Sequence, residues 1–173
     1  SLTSALAFGF DKRYCADPCG STARSPYFNS SSFYPYDDYK LRPAMMLAGT
    51  SFKHIKALID RGIRSDYSFP KGQTYLMNTS DKARNSRSAS FTQIAEELDD
   101  VFPMQILTAD YISERKDVLF YFTGLKKVFM LETLRFLPGA LADHLTSAGG
   151  KLTDSPQMSS LRWLEAGATA SYG

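Results

Sequence analysis

Short apolar runs alternate with segments of helical spacing from residue 44 onward, and this alternation constrains the fold more than any other feature of the chain. Runs of this length, bounded by Gly, Pro or Asn, are typical of strands. They occupy residues 44–49, 73–78, 104–107, 118–122 and 168–170, and a further apolar segment, 136–141, precedes a predicted loop over 142–156. Because strand–helix–strand crossovers return the chain in the same direction, the sequence predicts an α/β fold with a mainly parallel sheet and helices on both faces.

Three segments between the strands have the spacing of amphipathic helices. The first begins after Thr50 or Ser51, whose hydroxyls can accept hydrogen bonds from free backbone N–H groups, and it ends at Gly62. The second begins with the capping-box signature at Ser90. The third ends at Gly167, just before the last predicted strand. In a parallel sheet, ligands bind where the loops leave the carboxyl ends of the strands, so the loops after these strands are the candidate site.

The region before the first predicted strand differs from the rest of the chain in composition. Residues 11–42 predict a long N-terminal irregular loop, because Pro18, Pro26 and Pro35 interrupt regular structure. Its many Tyr and Phe side chains favour packing against a surface over a free linker. Two interpretations remain open: a structural covering loop, or a wall that faces a substrate.

Length and charge narrow the class of protein. A chain of 173 residues is of single-domain size, so we expect one α/β domain over residues 1–173. The formal charge of +2 lacks the basic excess of a nucleic-acid-binding protein. The apolar runs are far shorter than the ~20 residues that span a bilayer, which argues against membrane insertion. Both ends are abrupt and the chain does not begin with Met, so we expect a piece of a longer protein whose remainder is a partner.

Cys15 and Cys19 are the only cysteines. They allow a local disulfide in an exported protein, two free thiols, or pairing with a partner outside this chain. A metal site is not predicted, since tetrahedral zinc needs more ligands than these cysteines and the separated His54 and His144 supply.

The segment 142–150 concentrates the best catalytic candidates. Asp143 can orient His144 as a general base, and Ser147 or Thr146 can act as nucleophile beside the N–H groups of residues 149–150. Adjacent residues of a strand point to opposite faces, which works against an Asp143–His144 hydrogen bond. The alternative is that Asp143 caps a turn and His144 lies on the surface.

A second candidate site is the polar loop 79–90. Lys82, Arg84 and Arg87 can bind a phosphate or carboxylate there, and the alternative is a solvated charged loop. No glycine-rich nucleotide motif and no nucleophile-elbow motif occurs in the chain, so no cofactor is predicted.

Segments 41–48, 57–62, 138–147 and 166–173 resemble an uncharacterised family of exported bacterial proteins that are longer than this chain. That resemblance implies a periplasmic or extracellular location. The helix that leads into the Ala166-Gly167-Ala168 segment is also distantly similar to the gingipain and clostripain type of caspase-like cysteine peptidase. Those peptidases place a His at one strand end and a Cys at the next, and the second half of this chain has no Cys. The resemblance therefore implies a non-catalytic or degenerate caspase-like domain that binds or scaffolds; the alternative is a peptidase-like hydrolase that uses Asp143, His144 and Ser147.

Overall fold

The structure is a computed structural model that describes residues 2–14 and 23–172. The chain divides into two compact units, Ser1–Leu47 and Ala48–Gly173. The single domain expected from chain length stays a prediction. Among the described residues, no helix is both long and apolar enough to cross a bilayer.

The described residues of the first unit form two short helices, α1 (Leu2–Phe8) and α2 (Pro35–Tyr39), and a 3₁₀ turn at Lys12–Tyr14. The predicted irregular loop is thus interrupted by α2, because Pro35 occupies the first turn of a helix, where its missing N–H costs no hydrogen bond. Aromatic side chains in this unit contact one another; Phe8 and Tyr14, for example, are stacked with ring centroids 4.1 Å apart. Cys15 and Cys19 lie outside the described residues, and so does the disulfide prediction.

The second unit is built on a four-stranded sheet in which every pairing is parallel. Its strands are β1 (Gln73–Asn78), β2 (Met104–Thr108), β3 (Val118–Thr123) and β4 (Phe136–His144), in the spatial order β2-β1-β3-β4. This confirms the predicted α/β parallel-sheet fold. The register between β3 and β4 shifts once, because Val118 pairs with Phe136 whereas Phe120 pairs with Leu141.

Three helices accompany the sheet: α3 (Phe52–Ser65), α4 (Phe91–Leu98) and α5 (Leu161–Ala166). The 3₁₀ segments Asn85–Ser90 and Leu131–Thr133 precede α4 and β4. Helix α4 lies over the face that carries Leu76 and Phe122, and α5 lies over the opposite face, where Trp163 contacts Tyr121. Helices therefore cover both faces, as the sequence predicts.

The hydrophobic core lies on the α5 face of the sheet. Trp163 is fully buried at its centre, with Tyr121 and Phe136 in edge-to-face contact at 5.0 and 6.3 Å between ring centroids. The other buried members of this cluster come from β1, β3, β4 and the segments around them: Tyr75, Met77, Ile112, Val118, Leu125, Val128, Leu131, Leu134, Ala140, Ala142, Met158 and Ala168. Strand β2 contributes only the partly buried Leu107.

The strand predicted over residues 44–49 is wrong. The segment has no regular secondary structure and pairs with no strand among the described residues, and Met45 and Met46 are 74% and 69% exposed. A continuous apolar run indicates a buried strand only if neighbouring strands are available on both sides, and the run crosses the division between the two units. Likewise, the strand predicted at 168–170 is reduced to one isolated bridge between Leu141 and Ala170.

Helix ends also differ from the sequence pattern. Helix α3 continues past Gly62 to Ser65, because Gly costs stability inside a helix without ending it. Ser90 has a helical backbone and no capping hydrogen bond, since the 3₁₀ segment before it already supplies the first turn. The predicted start of α3 at Ser51 is confirmed, because the Ser51 side chain accepts a hydrogen bond from the His54 backbone N–H. The predicted end of α5 at Gly167 is also confirmed, since Gly167 has the left-handed φ of +115°.

Candidate functional site at the carboxyl edge of the sheet

The four strands end along one edge, and the loops that leave it are joined by polar contacts. The Asn85 side chain donates to the Asn78 side chain at 2.6 Å and accepts from the Thr79 backbone N–H at 2.9 Å. The Thr79 hydroxyl in turn donates to the carbonyl of Gly124 at 2.7 Å. These bonds hold the loop after β1 against the end of β3.

At Gly124 the two loops approach each other closely. A Cβ atom at this position would lie 2.0 Å from the carbonyl oxygen of Arg84. Only glycine leaves room for the two backbones to pass at this distance. The position of the 79–90 loop over the edge therefore depends on that residue.

Asp143 lies in β4 and not in a loop, and its side chain points to the α4 face. It pairs in register with Phe122, and its carboxylate accepts a hydrogen bond from Arg87 in a charge-assisted ion pair. The Asp143 side chain is 5% exposed, whereas that of Arg87 is 39% exposed. The acid is thus buried behind the guanidinium that neutralises it.

His144 points to the opposite face, into the hydrophobic core, and is 2% exposed. The Trp163 indole N–H donates to His144 Nδ1 at 3.0 Å. Because indole is only a donor, Nδ1 is unprotonated, and Nε2 carries the hydrogen that it donates to the Met158 carbonyl at 2.9 Å. Burial lowers the pKa of His144 below its ordinary value, although the Met158 carbonyl and Asp143 oppose the shift. The imidazole is neutral and both of its nitrogens are engaged.

Gln157 organises the loop that follows β4. Its Oε1 accepts hydrogen bonds from the Thr146 hydroxyl and from the Ala148 backbone N–H, the latter at 2.8 Å. Its Nε2 donates to the Ser147 hydroxyl at 2.9 Å. The structure therefore gives Asp143, His144 and Ser147 three different partners and does not bring them together as a catalytic group.

The cationic candidates are also separated by their partners. Arg84 donates to Asp81 at 2.8 Å and reaches the Thr146 hydroxyl at 3.4 Å. Arg87 is paired with Asp143 through Nη1, and Lys82 is exposed. The two guanidiniums thus bond to different carboxylates and hold the loop against β4 and the segment that follows it.

A polar group at the start of α3 was not predicted from the sequence. The Thr50 hydroxyl lies 2.8 Å from His54 Nδ1 and donates to Glu165 at 3.2 Å, and Glu165 also pairs with Arg162 at 2.7 Å. The carboxylate bonds to the hydroxyl and not to the imidazole, so the group lacks the acid–base–nucleophile order of a hydrolytic triad. Only the four-residue spacing of Thr50 and His54 was visible as a signal in the sequence.

In the ranges that the structure describes, no group of three or more His, Cys, Asp or Glu side chains is placed to hold a metal ion. No protein-family model, curated protein or solved structure matches this chain. We therefore infer its function from its own residues.

Proposed function

We propose that this chain is a non-catalytic binding or scaffold domain of a degenerate caspase-like type, belonging to an exported protein. The observation that carries the proposal is the environment of His144. Its two ring nitrogens are bonded to Trp163 and to the Met158 carbonyl inside the core, on the face opposite Asp143. A general base must reach the proton that it removes, and this imidazole has no free nitrogen to offer.

The ends of the adjacent strands β3 and β4 support the proposal that the domain is a degenerate, non-catalytic one. In the caspase-like peptidases that the sequence resembles, a His at one strand end and a Cys at the next form the reacting pair. Here β3 ends at Thr123 and is followed by Gly124 and Leu125, and β4 ends at His144 and is followed by Leu145. Among the described residues of this edge there is no thiol, so none of them can serve as the nucleophile of thiolate chemistry.

The hydroxyl groups at the same edge support it as well. Ser147 accepts from Gln157, and Thr146 donates to the same side chain. Neither hydroxyl has an imidazole or carboxylate as partner among the described residues. A serine hydroxyl without an adjacent base is a weak nucleophile.

The test is an assay for hydrolysis. The wild-type chain, Ser147→Ala and the matched control Ser86→Ala, which alters an exposed serine of the same edge, are incubated with chromogenic esters, a peptide library and a serine-directed fluorophosphonate probe. We expect no turnover above the buffer rate and no covalent label on any of the three proteins. Labelling of Ser147, or hydrolysis that Ser147→Ala abolishes and Ser86→Ala preserves, would overturn the proposal and favour the hydrolase.

A further inference from the structure

The α4 face of the sheet carries an open cleft of about 560 Å³. Its floor includes Leu76, Phe120 and Phe122, and its wall includes Ile94 and Leu98 of α4. Helix α4 is only eight residues long and leaves Phe120 and Phe122 half-buried. The volume falls within the range of roughly 300–1,000 Å³ that is typical of small-molecule sites.

Aromatic rings line the cleft along the strand direction. Phe102 meets Phe120 edge to face with centroids 5.1 Å apart, and Phe120 lies parallel to Phe122 at 6.3 Å. Thr74, which also lines the cleft, is 1% exposed, and its hydroxyl has no hydrogen-bond partner. The row of aromatic rings favours an elongated apolar group.

One end of the cleft is charged. Phe122 pairs with Asp143 across β3 and β4, and Arg87, the ion-pair partner of Asp143, also lines the cleft. Within the described residues, Arg87 bonds to Asp143 through Nη1 alone, so its remaining N–H donors can bind a ligand. Because Asp143 is buried and Arg87 is partly exposed, an incoming group meets the guanidinium first.

We propose that this cleft binds a small amphiphilic carboxylic acid, with its apolar body over Phe120 and Phe122 and its carboxylate on Arg87. The inference rests on the proposed function as a binding domain and names a ligand class for it. A guanidinium held by Asp143 presents its planar donors in a fixed orientation, which matches a carboxylate in geometry and charge. An amine head group would be repelled by Arg87, and a ligand charged along its length would lose hydration over the phenylalanines.

Decanoate, decanol and decylamine are the probes, because they share one apolar body and differ in the head group. Calorimetric titration of the full chain at pH 7 should give decanoate an affinity about tenfold or more above that of decanol, because a charge-assisted hydrogen bond is stronger than one between neutral groups. Decylamine should bind more weakly than decanol. Equal affinities for the three probes, or no binding of decanoate, would overturn the proposal.

Variants locate the site. Leu98→Glu places a carboxylate at the apolar end of the cleft and should weaken decanoate binding at least tenfold, whereas Thr92→Glu adds the same charge to an exposed position of α4 outside the cleft and should leave binding unchanged. Equal effects of the two variants would place the ligand elsewhere.

The head-group contact needs a variant that keeps the fold. Arg87→Gln alone would leave Asp143 buried without its cation, so the double variant Arg87→Gln/Asp143→Asn removes both charges together. With folding checked by circular dichroism, this variant should bind decanol as the wild type does and lose the preference for decanoate. A preference that survives in the folded double variant would rule out Arg87 as the contact. Failure of these titrations leaves the hydrolysis assay unaffected, so the two proposals fail separately.

Discussion

His144 is a buried base whose hydrogen-bonding capacity is filled by Trp163 and the Met158 carbonyl. Protonation would force Nδ1 to become a donor facing the donor of Trp163. The folded chain therefore resists the proton, in keeping with the lowered pKa of His144. In the unfolded chain, His144 takes up a proton at its ordinary pKa of about 6.5.

This difference predicts a pH dependence of stability. Above pH about 6.5 the imidazole is neutral in both states and contributes no slope. As the pH falls below that value, the unfolded state gains a proton and the free energy of unfolding decreases, by at most about 1.4 kcal/mol per pH unit for this group. Urea unfolding followed between pH 7.5 and 5.5 should show the loss in the wild type.

The variant His144→Gln, which keeps a donor and an acceptor but does not titrate, should remove that slope. The control His54→Gln, at an exposed position, should keep it. Parallel pH profiles for the wild type and His144→Gln would contradict the assignment of the slope to the buried imidazole.

The second residue-scale prediction concerns two glycines in opposite surroundings. Gly124→Ala would bring a methyl group against the Arg84 carbonyl and should lower the free energy of unfolding by about 1–3 kcal/mol or more. Gly62→Ala, inside α3 with open space around it, should raise it by about 0.5–1 kcal/mol. Urea titration of both variants measures the difference. A Gly124→Ala chain as stable as the wild type would mean that the loops need not approach so closely.

At this scale, strand alternation gave a reason against the proposed Asp143–His144 hydrogen bond, but the sequence did not indicate where each side chain goes. Strand alternation follows from neighbouring positions alone. The partners lie 56 and 19 positions away, at Arg87 and Trp163, and depend on how the helices pack on the two faces. No local pattern indicates contacts over such separations.

Among the helices and strands, the start of α3 differs from that of α4 although both are preceded by serine. Ser51 has an extended backbone and accepts from the His54 N–H at 3.3 Å, whereas Ser90 makes no capping bond. Ser51→Ala should therefore cost about 1 kcal/mol of unfolding free energy, and Ser90→Ala only a few tenths. Thermal and urea unfolding of the two variants provide the comparison. Equal losses would indicate that Ser90 caps α4 in solution.

The strands were predicted best where the chain supplies turns close to both ends. β1, β2 and β3 appear where the sequence places them, within about a residue at each end. The run 44–49 is apolar as well, yet it pairs with no strand in the part of the chain that the structure describes. Hydrophobicity records the tendency of a segment to be buried, and whether a neighbouring strand exists is decided by the rest of the fold.

For the whole molecule, all four strands and the hydrophobic core cluster belong to the unit Ala48–Gly173. We expect a chain of residues 48–173 to fold alone and to unfold cooperatively in urea. Trp163, the single tryptophan, lies at the centre of that core and reports the transition by fluorescence. A fragment that unfolds gradually, beside a cooperative full-length chain, would instead support the single domain that chain length predicts.

The register shift between β3 and β4 determines where in β4 the fold can tolerate an inserted or deleted residue. From the Val118–Phe136 pair to the Phe120–Leu141 pair, β3 advances two residues and β4 advances five. Because the pairing is irregular over this stretch, one residue can be inserted or deleted near Gly139 without changing the direction of the side chains at the end of β4. Beyond Leu141 the pairing is regular, so one residue inserted after Leu141 would reverse the direction of every following side chain in β4. The Asp143 side chain would then point into the core, and the His144 side chain would point out of it. Natural or engineered length variation should therefore be tolerated before that point and rejected after it.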